Sequence, residues 1–176
     1  MRFLAVSTLL LALAAGIFAA DEIPTFAKHW QTSGEFTVAV AEAMPAADFN
    51  FAPNPEEMGF GKLMIHVTGY NNMLFATVSG MKAPAMPPAL AAAMKDPKGM
   101  FDKEATIQFV KDSFAFCAQA LGQITPEKMD RMFGPEGRQA SGREFLWRGF
   151  THTAHHRGQA EVYLRVKNIK PPGYKF

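Results

Sequence analysis

A chain with one cysteine, Cys117, cannot form an internal disulfide, so packing alone must hold these 176 residues together. Charge is sparse as well. Eighteen Lys and Arg face sixteen Asp and Glu, a formal net charge of +2, and no basic run is dense enough to track a phosphate backbone; nucleic acid is not an expected partner. No segment alternates apolar and polar residues long enough to argue for a sheet, and no internal repeat or low-complexity tract is present. Three metal or haem signatures are missing too: C-x-x-C-H, H-E-x-x-H and E-x-x-H. Covalent haem, zinc-protease and di-iron bundle chemistry are thereby set aside.

What is present starts with an export signal. Arg2 gives a positive start, Phe3 to Leu13 is largely apolar, and Ala14, Ala15, Gly16, Ala19 and Ala20 are small residues ahead of Asp21. Cleavage after Ala19 or Ala20 is expected, leaving one domain over residues 21–176 that is periplasmic or secreted. The rival reading is an uncleaved anchor, but the apolar stretch falls short of the ~20 residues that span a bilayer. No membrane span is expected once the leader is removed.

Four segments carry helical periodicity, which predicts an all-α protein. The first helix is expected from Pro24 to about Met44, with Phe26, Trp30, Val40 and Met44 among its apolar positions. An N-x-x-E start at Asn54, Pro55 and Glu57 opens the second, to about Ser79, with Leu63, His66, Val67, Tyr70 and Leu74 on one stripe. From Gly80 to Gly99 four prolines suit an irregular connection. Asp102 opens a third helix to about Leu121, in which Ile107, Val110, Phe114, Cys117 and Leu121 share a face. Cys117 is therefore expected to be a buried small hydrophobe. Thr125 and Pro126 start a short piece containing Met129 and Met132, stopped by Gly134, Pro135 and Gly137. Ser141 and Glu144 form a capping box for the last helix, to about Val166, before Lys170, Pro171 and Pro172.

Three of five histidines fall in T-H-T-A-H-H-R, residues 151–157. On a helix His152 and His156 emerge one turn apart on one face, while His155 points about 100° away from His156. Phe145, Gly149, Gln159 and Tyr163 share the face of His152 and His156, so it packs inward. Two imidazoles buried without partners would forfeit hydrogen bonds at roughly 1–3 kcal/mol per unsatisfied group, a loss that a shared metal ion offsets. His66, inward on the second helix, supplies a third ligand from across the bundle. His29, near the start of the first helix, is left outside the site.

The residues H-T-A-H-H-R-G-Q from His152 to Gln159, then Tyr163, Leu164, Arg165 and the closing Ile169, Lys170, Pro171 and Pro172, resemble the DinB-like (DinB/YfiT) metalloenzyme family. Phe60, Gly61, Lys62 and Leu63 leading to His66, then Gly69, Tyr70 and Asn71, extend the likeness over nearly all of residues 21–176. The resemblance implies a four-helix bundle and one divalent ion, zinc or nickel foremost, on His66, His152 and His156. It makes His155 a neighbour of the site and gives Arg157 and Gln159 structural or supporting roles. Homodimerisation rests on the resemblance alone. One departure stands out: Thr153 occupies a position where relatives frequently carry an acid.

Three imidazoles leave a coordination position open, where a metal-bound water is acidified to a pKa of ~7. Hydrolysis of a small molecule is the expected chemistry; the resemblance implies metal-dependent thiol S-transfer as one alternative, and non-catalytic metal or ligand binding is another. Tyr70, Arg148 and Tyr163 are the candidates for orienting substrate.

Overall fold

The computed structural model describes the backbone of residues 3–175 and the side chains of residues 22–175. The leader expected over residues 1–20 lies outside the side chains described. In chain order the helices are α1 (Phe3–Ala43), α2 (Phe60–Ser79), a short α3 (Pro88–Lys95), α4 (Lys103–Leu121), a short α5 (Pro126–Asp130) and α6 (Gly142–Val166). A 3-10 turn over Ala46–Asp48 follows α1, and a two-residue antiparallel pair, β1 (Met132–Phe133) with β2 (Ala140–Ser141), precedes α6.

The protein is an all-α bundle of four long helices. Helices α1 and α2 each pack on both α4 and α6, giving the ring order α1, α4, α2, α6. Named contacts fix the directions. Trp30 of α1 stacks near Phe114 of α4, while Lys103 at the start of α4 donates to the Glu42 carbonyl near the end of α1, so these two helices are antiparallel. Phe26 meets Phe150 and Thr37 meets Arg157, so α1 and α6 are parallel. Phe60 near one end of α2 meets Tyr163 and Phe75 near the other end lies beside Gly149, so α2 and α6 are antiparallel. Parallel α2 and α4 cannot be joined by a tight turn; α2 is 20 residues long, ~30 Å, and the chain must travel back along the bundle before α4 begins. Residues 80–102 make that return.

The core follows the helical stripes. Phe26, Trp30 and Val40 are buried on α1, with Met44 just beyond its end, and Ile107, Val110, Phe114, Cys117 and Leu121 on α4. Burial pushes the Cys117 thiol pKa well up, opposed only by a hydrogen bond involving Ser113, which leaves it an unreactive hydrophobe. Caps expected from the sequence are formed at three starts. Asp102 accepts from the Ala105 N–H at 2.8 Å, Thr125 accepts from Lys128, and Ser141 and Glu144 cap each other's backbone N–H groups.

Four boundaries differ from expectation. Helix α2 begins at Phe60, not at Asn54, because the Asn54 side chain accepts from the Glu56 N–H and its carbonyl from the Glu57 N–H, closing a local turn in place of a helix. The first donors of α2 are met by other backbone: Phe60 N–H reaches the Phe51 carbonyl and Gly61 N–H that of Phe49. Gly61 is needed there, since a Cβ would stand 2.6 Å from Cβ of Phe101. Within the 80–99 connection, Pro88 at a helix start and the alanines after it form α3, which buries Leu90 and Ala93. Helix α1 contains Pro24 instead of starting at it. Last, α5 stops at Asp130 and Met132 passes into β1, the hairpin turning on Gly134 and Gly137 at φ 103° and 75°.

Candidate metal centre

His66 leaves α2 from the turn between buried Leu63 and Val67, and His152 and His156 leave α6 one turn apart. All three are half-buried, and the candidate ligand atoms of the three rings lie within 4.8 Å of one another. Nε2 of His152 stands 3.1 Å from Nε2 of His66. Ring centroids are 4.9 Å apart for His66 and His152, 4.8 Å for His66 and His156, and 4.4 Å for His152 and His156. Helices α2 and α6 approach closely enough for this because Gly149, one turn before Thr153, has no side chain: a Cβ there would meet the Phe75 ring at 3.2 Å.

Protonation state follows from burial and from crowding of like groups. His152 is pushed down to about 4, first by desolvation and then by His156, His66 and His155. His66 is lowered by desolvation and by His156. Both rings are therefore neutral at pH 7, which is the form that ligates.

The surroundings hold the three rings differently. Nδ1 of His156 lies 2.6 Å from Oε1 of Gln159, which can only accept, so Nδ1 donates there and Nε2 is the nitrogen left for an ion. Nδ1 of His152 is buried with no acceptor among the described residues. Its ring is positioned by stacking instead: the Tyr70 ring lies 4.1 Å away, tilted 34°. Behind the site, Nδ2 of buried Asn71 donates to Oγ1 of buried Thr153 at 2.9 Å, a polar bond joining α2 to α6 beside His152. Thr153 thus faces Asn71 across the helix seam, and an acid in its place would be buried there.

The three rings could hold a metal ion. Nitrogen ligands of a tetrahedral ion at ~2.0–2.1 Å stand roughly 3.3–3.4 Å apart, close to the 3.1 Å between His152 and His66. Without an ion the two Nε2 atoms can share a single N–H···N hydrogen bond, and Nδ1 of the His152 ring is still left unpartnered among the described residues. No carboxylate, thiol or further histidine joins the group among the described residues.

The other sequence candidates separate. Tyr70 is at the site. Arg148, one turn before His152 on α6, is exposed, with its guanidinium carbon 5.6 Å from the Phe145 ring centroid. Tyr163 is elsewhere: it is buried, its hydroxyl donates to the Met58 carbonyl at 3.0 Å, and its ring packs beside Phe51 and Phe60. It fastens the segment before α2 onto α6. His155 is exposed beside His156. Sequence reasoning missed the Asn71–Thr153 bond, which needs residues 82 positions apart; the i, i+3 spacing of His156 and Gln159 was the available signal for their contact.

Fold and site together define a four-helix bundle with a three-histidine group that could hold a metal ion between α2 and α6. The sequence matches the DinB superfamily model over residues 29–160, and the chain belongs to that superfamily. Its fold is similar to that of a DinB-like protein from Bacillus subtilis, with a TM-score of 0.67 and 18% identity over 85% of this chain and 96% of the other. A DinB-like protein from Bacillus cereus ATCC 10987 gives a TM-score of 0.70 and 18% identity over 85% and 95%. No curated protein gives a significant match.

Proposed function

We propose that this protein is a metal-dependent enzyme that hydrolyses a small molecule at His66, His152 and His156. The observation that carries the reading is the incomplete ligand set: three half-buried imidazoles converge, and no fourth histidine, cysteine or carboxylate joins them among the described residues. A structural site closes its fourth position with protein, whereas a catalytic one keeps it open. A divalent ion held there supplies Lewis acidity and lowers the pKa of a bound water toward 7.

The chain's own residues do the rest. Gln159 fixes the tautomer of His156, and Tyr70 holds the plane of His152, so neither ring must be ordered when the ion arrives. Arg148 is exposed one turn from His152 and is free of any carboxylate within ion-pair distance among the described residues, which suits it to orient a polar substrate group. The ion is proposed as zinc or nickel, on the imidazole donor set. Export is proposed on the leader: with residues 1–20 removed, Pro24 falls in the first turn of α1, where its missing N–H is harmless.

The test is elemental analysis of protein purified without a histidine tag, alongside the His152→Ala variant, then ester, amide and lactone hydrolysis with and without added metal. One ion per chain, lost in the variant, with metal-dependent turnover of at least one substrate class, is expected. Equal metal content in the two proteins would remove the ligand assignment. Metal bound stoichiometrically with no metal-dependent hydrolysis would leave a binding protein.

A further inference from the structure

Arg157 follows His156 in sequence but belongs to the opposite seam. Its side chain leaves α6 toward α1, the residue is 7% exposed, and its guanidinium carbon lies 4.6 Å from the Phe36 ring centroid. Nη1 is fully engaged: it donates to Ser33 Oγ at 2.8 Å, to the Ser33 carbonyl at 3.2 Å and to Thr37 Oγ1 at 3.3 Å. All three acceptors are neutral. No carboxylate lies within ion-pair distance of this buried cation among the described residues, although Glu161 is near enough to favour its charge. A guanidinium cannot shed its proton in a protein, so burial leaves an uncompensated charge.

The guanidinium borders a cavity of about 280 Å³ between α1, α6 and the C-terminal tail. Phe36, Phe150 and Tyr174 give it aromatic walls, Lys175 adds a second cation, and Glu161 is the carboxylate that lines it. Glu161 is already directed to Arg165 at 3.7 Å, and Lys175 lies 3.9 Å from Glu35. The hydrogen bonds of Arg157 all run through Nη1, and Nε and Nη2 make none among the described residues, which leaves that edge to a ligand in the cavity that Arg157 lines. That edge is the side of a guanidinium that matches the two oxygens of a carboxylate.

We infer that this cavity binds a small organic monocarboxylate with an apolar or aromatic body, its carboxylate paired to the Nε/Nη2 edge of Arg157 and its body against Phe150 and Tyr174. A doubly charged phosphate is disfavoured by Glu161 and by the aromatic walls. The site is separate from the three histidines and stands whether or not these carry catalysis.

Benzoate is the probe, titrated into the full chain by calorimetry, with benzyl alcohol as the neutral isostere and inorganic phosphate as the dianion. Saturable 1:1 binding of benzoate is expected, at least tenfold tighter than either control. Gly158→Leu adds bulk at a cavity-lining position where a Cβ meets nothing within 4 Å, so the fold is retained and benzoate affinity is expected to fall tenfold or more. Arg157→Lys, which keeps charge and loses the fork, is expected to weaken benzoate similarly, provided circular dichroism matches the parent. His152→Ala is expected to bind benzoate as the parent does. No benzoate binding, benzyl alcohol bound as tightly, equal binding by folded Gly158→Leu, or loss in His152→Ala with retention in Gly158→Leu would each overturn the assignment.

Discussion

The seam between α1 and α4 and the seam between α2 and α6 are built of opposite materials. In the first, the Trp30 and Phe114 rings lie 5.2 Å apart, with Gly34 leaving room for the Phe114 side chain. In the second, Gly149 admits a layer of His66, Tyr70, Asn71, His152, Thr153 and His156, much of it polar. Apolar burial stabilises without direction, at ~25 cal/mol per Å², whereas each buried polar group must find a partner or weaken the fold. The bundle thus draws stability from one seam and places its reactive groups in the other. Changes in the two should have separable consequences.

Trp30→Ala should produce the largest loss of stability, ~3–5 kcal/mol by chemical denaturation, because it empties a fully buried site. Metal content per folded chain should stay that of the parent; a loss of metal would mean that the seams are coupled. His152→Ala should do the reverse, abolishing metal uptake in elemental analysis while the denaturation midpoint of the metal-free protein holds or rises. Gln159→Leu should lower metal affinity by ~10–100-fold in competition with a chelator, since it removes the acceptor that fixes His156. Thr153→Val leaves Asn71 Nδ2 without its acceptor and should destabilise by ~1–3 kcal/mol, with a smaller effect on metal than Gln159→Leu.

The smallest effect is the titration of the histidine cluster in metal-free protein. Unfolded histidine has a pKa near 6.5, and His152 in the fold is held at about 4. As pH falls through 6.5 the unfolded chain takes up a proton that the native chain refuses until about pH 4, so stability declines across that window. The thermal midpoint should drop by a few degrees between pH 7 and pH 4.5, ~1–8 °C on the usual scaling. The drop should shrink in His152→Ala and grow in the metal-loaded protein, where a bound ion keeps protons off all three rings while the unfolded chain takes them up.

Spacing made the histidine face readable, because period 3.6 decides which residues of a helix look the same way. It does not say what lies opposite at each level. Tyr163 shares the face of His156 but sits two turns on, where α6 meets residues 51–60 instead of His66, and its hydroxyl is taken by Met58. Arg157 shows the complementary case: one residue past a candidate ligand, it turns about 100° and enters the seam with α1. The start of α2 was misplaced because the Asn54 side chain serves a turn as well as it would a helix, and only the pairing of Phe60 and Gly61 with Phe51 and Phe49 decides between them. The four helices and the three converging rings were thus legible locally, while their neighbours depended on which helix crosses at which height.

His66 and His152 are separated by 86 positions along the chain. Synthesis runs from the amino end, and the ring of helices is completed only by α6, so a ribosome-bound intermediate ending before residue 152 carries one of the three candidate ligands, His66. Such a fragment offers an ion one weak monodentate contact, and capture of an ion by the full triad belongs to the finished polypeptide.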